Sequence, residues 1–221
     1  LRMGVGGGGR GVFRARRRME YQMPVIGVDL GDKGFLAELD GTDMAPLIAA
    51  ARGDFRESHR MMLDVQLVRN GEVVYEDTAL NDVVLKSVHN CIAVTTKIRN
   101  EVTNRFCGDG IIVATPTGST GYSLSAGGPI VEPEAKNIII TPICAHEIGS
   151  RCIVASDKRI VSVEQILNAR RNAYLSVDGG RAIRMNMGDV ATIKKSHLET
   201  RLIRLKERSF YDVVSQKFNR A

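Results

Sequence analysis

The pattern around Asn70-Gly71 constrains this chain more than any other feature. MLDVQLV (62–68) and EVVYEDTAL (72–80) alternate apolar with polar residues on either side of it, the signature of strands with one dry and one wet face. Asn-Gly between two such runs predicts a two-residue hairpin, because both central residues of the matching turn need a positive φ. Further β-like runs follow at 92–98, 111–114, 138–143, 159–163, 173–177, 190–194 and 202–205. Most of residues 60–205 is therefore expected to be sheet.

The flanks read differently. PVIGVD (24–29) is a short β-branched run stopped by Gly31, and Gly34 precedes a second apolar stretch at 35–39. Residues 43–51 are rich in Ala and Leu with Asp43 at their start, which suits a helix whose positive N-terminal end favours an acid. In SFYDVVSQKFNRA (209–221), Phe210, Val213, Val214, Lys217 and Phe218 fall at helical spacing, with Ser209 as N-cap. An amphipathic terminal helix needs a partner surface, so it is expected to return onto the N-terminal layer. The expected organisation is a partial α/β nucleotide-binding layer, residues 1–58 plus 207–221, and a β-rich, β-sandwich-like domain, residues 59–206.

No apolar run reaches the roughly 18 residues that a membrane-spanning helix needs, and no signal-peptide pattern opens the chain. A cytoplasmic location without a membrane partner is expected by default. The chain starts at Leu1 and is glycine-rich within ten residues, so further sequence upstream is expected. The net charge of +6 favours a polyanionic partner such as a nucleotide. Nothing resembles a base-reading helix or an aromatic stacking platform, so nucleic acid is not expected. Cys91, Cys107, Cys144 and Cys152 lack C-x-x-C spacing, and buried, reduced thiols are expected.

DGIIVATPTGSTGYSLSAGGPIV (109–131) carries the chemistry. It reads as a strand at 111–114, a hydroxyl-rich turn, and a short helix starting near Ser119 or Thr120. Backbone N–H groups at that helix start, with the hydroxyls of Thr117, Ser119, Thr120 and Ser123 beside them, would suit an anion or a ribose.

Within it, TPTGSTGYSLSAGGP (115–129) resembles the NAD kinase signature TPTGSTAYSLSAGGP, with Gly121 where the family has Ala. VIGVDLGDKGFLAEL (25–39), ALNDVVL (79–85), TPICAHEI (141–148), LSVDGG (175–180) and FYDVVSQKFN (210–219) resemble further family segments in family order. The resemblance runs from about Val12 to the end and lacks the family's first strand-helix units. It implies a Rossmann-like N-terminal layer and ATP-dependent phosphorylation of the 2′-hydroxyl on the adenosine ribose of NAD, giving NADP. ATP with Mg²⁺ is the implied donor, and a homodimer or homotetramer the implied assembly.

The resemblance also assigns residues. NAD contacts fall on Asn81 and Asp82, on Asp109, and on Thr120, Gly121, Tyr122, Ser123, Leu124 and Ser125. Read from the residues alone, Asn81-Asp82 could equally be a turn closing a β segment, Asp109 a plain turn residue and Tyr122 a packing residue. The family's phosphate loop, GGDGT, aligns through Arg14 and Ala15 onto Gly7, Gly8, Gly9, Arg10 and Gly11. Gly9 takes the place of the catalytic Asp, so no catalytic residue is assigned. A glycine cannot accept a proton, and loss of a positioned base costs about 100- to 10,000-fold in rate. Two further departures weaken the site: Cys107 stands for a family Arg, and Gly180 for the Gln of VDGQ. His146 is expected to be a structural turn histidine. The alternative to an impaired kinase is a non-catalytic NAD(P)-binding module.

Overall fold

The computed structural model describes residues 2–5, 23–29, 39–40, 44–89, 91–166, 172–205 and 209–218. They fall into two units: Leu1–Arg60 with Glu132–Glu134 and Leu198–Ala221, and Met61–Val131 with Ala135–His197.

In the first unit, β2 (Val25–Asp29) runs parallel to β1 (Arg2–Val5) and to the short β3 (Leu39–Asp40). Ile26, Leu39 and Ile203 are buried together, with Phe55 and Leu205 packed on them. Helix α1 (Met44–Ala51) forms where the Ala- and Leu-rich stretch predicts one, and Gly53 (φ 89) follows it in the left-handed backbone that ends many helices. Among these described residues the strand pairing is parallel, as in the sheet of an α/β layer.

The Asn70-Gly71 hairpin joins β4 (Arg56–Arg69) to β5 (Glu72–Ala79). Asn70 (φ 52) and Gly71 (φ 84) both take the positive φ that a type I′ turn requires. The chain continues through β6 (Asp82–Ser87), β7 (Ile92–Ile98), β8 (Glu101–Gly108) and β9 (Gly110–Ala114). A 3₁₀ turn (Thr117–Thr120) and a four-residue helix, α2 (Tyr122–Ser125), follow. Then come β10 (Asn137–Ile143), β11 (Ile153–Ser156), β12 (Val161–Ile166), β13 (Ala173–Val177), β14 (Ile183–Met185) and β15 (Val190–Arg204).

One antiparallel sheet has the order β11-β10-β9-β6-β13-β14. In the second unit's other sheet, β12 lies between β7 and β15, and β7 pairs with β8. Leu85, Ile111, Ile140 and Leu175 from the first sheet share one core with Leu63, Val94, Phe106 and Val163 from the other. Two inner faces closed on a common apolar layer make a sandwich. Strands β12 and β13 alternate buried with half-buried residues, as one-sided strands do.

Six strands depart from the sequence reading: β1, β6 and β14 lie outside every run expected to be a strand, and β8, β11 and β15 differ as well. Strand β8 (EVTNRFCG) was not expected: it pairs with β7 alone and buries little beyond Phe106. Strand β11, which among the described residues pairs with β10, was missed because four residues are too few to register as a run. The runs at 190–194 and 202–205 are one strand, because pairing carries β15 through the polar KSHLETR between them. Its final residues join the first unit, where Leu202 pairs with Val25.

The terminal helix, α3 (Phe210–Phe218), belongs to the first unit. Asp212 N–H donates to Ser209 Oγ and Ser209 N–H donates to Asp212 Oδ2, each at 3.0 Å. This reciprocal cap satisfies two N–H groups that the helix itself cannot. Among the described residues, no helix is long and apolar enough to cross a membrane.

Candidate functional site

Strand β9 is buried along its whole length. Ile111 and Val113 face the sandwich core, while Ile112 and Ala114 pack with Val84, Ile139 and Ile143 on the opposite face. Ala126 and Val131, from the segment that follows β9, cover that second face. The signature turn is thus seated on the sheet by its own apolar residues. It is not a free loop.

Its hydroxyls divide by role. Thr115 is fully buried: its N–H donates to Asn81 O at 2.8 Å, its Oγ1 donates to Leu80 O at 2.6 Å, and the same oxygen accepts from Gly118 N–H at 3.0 Å. Ser119 Oγ both donates to Val131 O and accepts from Val131 N–H, at 3.1 Å each. Ser123, expected to face a ligand, is instead buried, and its hydroxyl is shared with Thr141 Oγ1 at 2.9 Å. Those three hydroxyls hold the fold. Thr120 and Gly121 are half-buried, Tyr122 is 39% exposed, Leu124 is half-buried and Ser125 exposed. Lys86 Nζ sits 5.8 Å from the centre of the Tyr122 ring, a cation-π contact along the same face.

The expected helix start near Ser119 or Thr120 is a 3₁₀ turn opened by Pro116, with no side-chain cap. Gly118, Ser119 and Gly121 spend their N–H groups on Thr115 Oγ1, Pro116 O and Gly118 O. The anion cradle read from sequence is therefore largely consumed by the turn itself.

Asn81 meets the turn directly. A Cβ on Gly118 would lie 2.6 Å from Asn81 C and 2.8 Å from Asn81 Cα, so only glycine allows this approach. Asn81 Oδ1 and Thr117 Oγ1 are both buried with no hydrogen-bond partner. Buried acceptors left unpaired cost stability unless something binds them. Next to them Asp82 is 7% exposed. Burial, helped by the charge of Asp178, raises its pKa from the usual 3.8 to about 7.

That shift sets a pH dependence. Between about pH 4 and about pH 7 the folded chain holds a proton at Asp82 that the unfolded chain has released. Stability is therefore full below the unfolded value and falls as pH rises through the folded one, by up to ~4 kcal/mol. Thermal unfolding from pH 4 to 8 is expected to show this decline in the wild type and a shallower one in Asp82→Asn. Parallel profiles would contradict it.

Asp109 is not brought to Asn81. It is exposed at the far end of β9, roughly 20 Å from Thr115 at the rise of a strand, with its N–H on Ile143 O and its C=O on Ser87 N–H. Cys107, at the family's Arg position, takes Glu147 on its N–H, and half-buried Gly180 follows Asp178-Gly179. Gly7, Gly8, Gly9 and Arg10 lie outside the described residues.

His146 donates its N–H to Cys107 O and places Nε2 3.3 Å from Cys91 Sγ. Among the described residues no three His, Cys, Asp or Glu side chains could hold a metal ion together. The cysteines are free, but not buried as expected: Cys144 is exposed and the others half-buried. Sequence reading missed Lys86 and Asp178. Asp-Gly after an alternating strand is the local signal that would have marked Asp178 as a turn residue.

The sequence model of the ATP-NAD kinase C-terminal domain matches residues 80–205. A protein named NAD kinase from Acetivibrio thermocellus is 38% identical over 216 residues, covering 96% of this chain and 75% of that protein. One from Natranaerobius thermophilus is 37% identical with the same coverage. Among solved structures, yeast NADH kinase complexed with NADH matches with a TM-score of 0.87 and 25% identity, over 99% of this chain and 66% of that one. An NAD kinase from Archaeoglobus fulgidus in complex with ATP gives 0.72 and 26%, over 89% and 74%.

Proposed function

The chain belongs to the NAD kinase family, and on that premise we propose that its second unit binds the adenosine portion of NAD for ATP-dependent phosphorylation of the ribose 2′-hydroxyl. The observation that carries this reading is the pair of buried, unpartnered acceptors, Asn81 Oδ1 and Thr117 Oγ1, where Asn81 meets the signature turn. Ribose hydroxyls and the adenine amino group are donors of the kind such acceptors need. Asp82 lies beside them, Tyr122 offers a ring for stacking a base, and Thr120 and Ser125 supply accessible hydroxyls. Ser123 drops out of the contact set because Thr141 occupies it. Asp109 would serve the nicotinamide end or a neighbouring subunit's ligand in a homodimer or homotetramer.

The first unit is assigned to ATP, as a partial Rossmann-like layer closed by α3. The divalent cation would arrive on the triphosphate, as Mg²⁺ commonly does. Phosphoryl transfer then needs a group to take the 2′-hydroxyl proton. In the aligned loop that position is Gly9, which supports a second reading, an NAD(P)-binding module with little or no turnover.

Turnover separates the two. Incubated with NAD, ATP and Mg²⁺, the chain is expected to bind NAD and to form NADP about 100- to 10,000-fold more slowly than a relative with an intact loop. Full-rate turnover would overturn the impairment, and absence of NAD binding would overturn the site.

A further inference from the structure

The turn after β13 reaches back into the candidate site. Asp178 (φ 49) and Gly179 (φ 67) are consecutive left-handed residues, and Gly180 N–H closes on Val177 O at 2.8 Å. Two positive φ values in succession suit Asp and Gly better than most residues. The turn delivers the Asp178 carboxylate to the segment that joins β5 to β6. Its Oδ2 accepts from Leu80 N–H at 2.8 Å, and its Oδ1 from Asn81 and Asp82 N–H at 2.8 and 3.0 Å. In return, Asp178 N–H donates to Asp82 O at 2.9 Å.

Three successive amides on one carboxylate are charge-assisted bonds, roughly twice as strong as neutral ones. With Thr115 N–H on Asn81 O, they restrain the peptide groups around Asn81. Its side-chain oxygen is left buried and unpartnered. An acceptor fixed in advance costs a ligand less ordering than one that must be found.

From this geometry we infer that Asp178 is a positioning residue of the dinucleotide site, holding the backbone of residues 80–82 so that Asn81 and Asp82 meet the ligand preorganised. It acts through those two residues, and the inference rests on the NAD-binding reading above. Nothing local in the sequence joins the segments, which lie almost a hundred positions apart.

The test pairs Asp178→Asn with Asp178→Ala in the full chain. Asn keeps the shape and one acceptor oxygen but turns an NH₂ toward one of the three amides; Ala removes every acceptor. Calorimetric titration with NAD, well below each protein's unfolding temperature, is expected to show binding weakened about tenfold by Asn and about a hundredfold by Ala. In ¹⁵N–¹H spectra the amide resonances of Leu80, Asn81 and Asp82 should move in both variants. That graded partial rescue is what a purely structural role would not produce. Should Asp178→Ala fail to fold, the Asn variant decides alone. Wild-type affinity in a folded variant whose three amides have shifted overturns this inference and leaves the site reading standing. A wild-type chain that binds no NAD overturns both.

Discussion

Exchanging Gly9→Asp, Arg10→Gly and Gly11→Thr together is expected to raise NADP formation about 100- to 10,000-fold above that of the chain as it stands, the usual contribution of a positioned general base. The three changes rebuild GGDGT from the GGGRG at residues 7–11. Gly9→Asp supplies the proton acceptor, Arg10→Gly returns the backbone freedom a phosphate-wrapping loop uses, and Gly11→Thr completes the motif. NAD affinity should scarcely change, because the acceptors assigned to NAD lie in the second unit. Equal turnover in both forms would mean that another group removes the proton. Silence in both, with NAD still bound, would place the fault outside this loop.

The second large effect is predicted at Gly118. Gly118→Ala would set a methyl 2.6 Å from Asn81 C, and a backbone carbon cannot swing aside as a side chain can. Relief requires prising Asn81 from the turn, which would break the 2.8 Å bond from Thr115 N–H to Asn81 O. Overpacking of this kind costs about 1–3 kcal/mol, and at ~1.4 kcal/mol per decade NAD binding should weaken about 10- to 100-fold. Gly121→Ala is the control: its methyl would meet only Gly118 O, at 3.2 Å, and the family signature carries Ala there. Binding that survives Gly118→Ala but fails in Gly121→Ala would contradict the placement of Asn81 against the turn.

What could be read beforehand was local. Asn70-Gly71 declares its hairpin because the turn type dictates residues, and Ser209 caps α3 because a cap needs only its own neighbours. The apolar run of β9 was legible as a strand, although its burial on both faces follows from Ala126 and Val131, which lie beyond the strand. Strand β8 carries too few apolar residues to stand out, and β11 is only four residues long. Within the site, the glycine-and-hydroxyl signature located the turn without saying which way each hydroxyl points. Ser123 and Ser119 turn inward because Thr141 and Val131, distant in sequence, offer them partners. Asp82 read as an NAD contact or a turn residue, and the fold buries it near the charge of Asp178. Such long-range pairings decide roles, and alternation along a strand does not encode them.

Everything functional depends on whether Asn81 and the turn after Ala114 receive a dinucleotide. Calorimetric titration of NAD into the wild type and into Asn81→Ala addresses this most directly. A saturable heat in the wild type, weakened at least about tenfold when the buried acceptor is removed, is the predicted result. Equal heats from the two proteins, or none from the wild type, would contradict it.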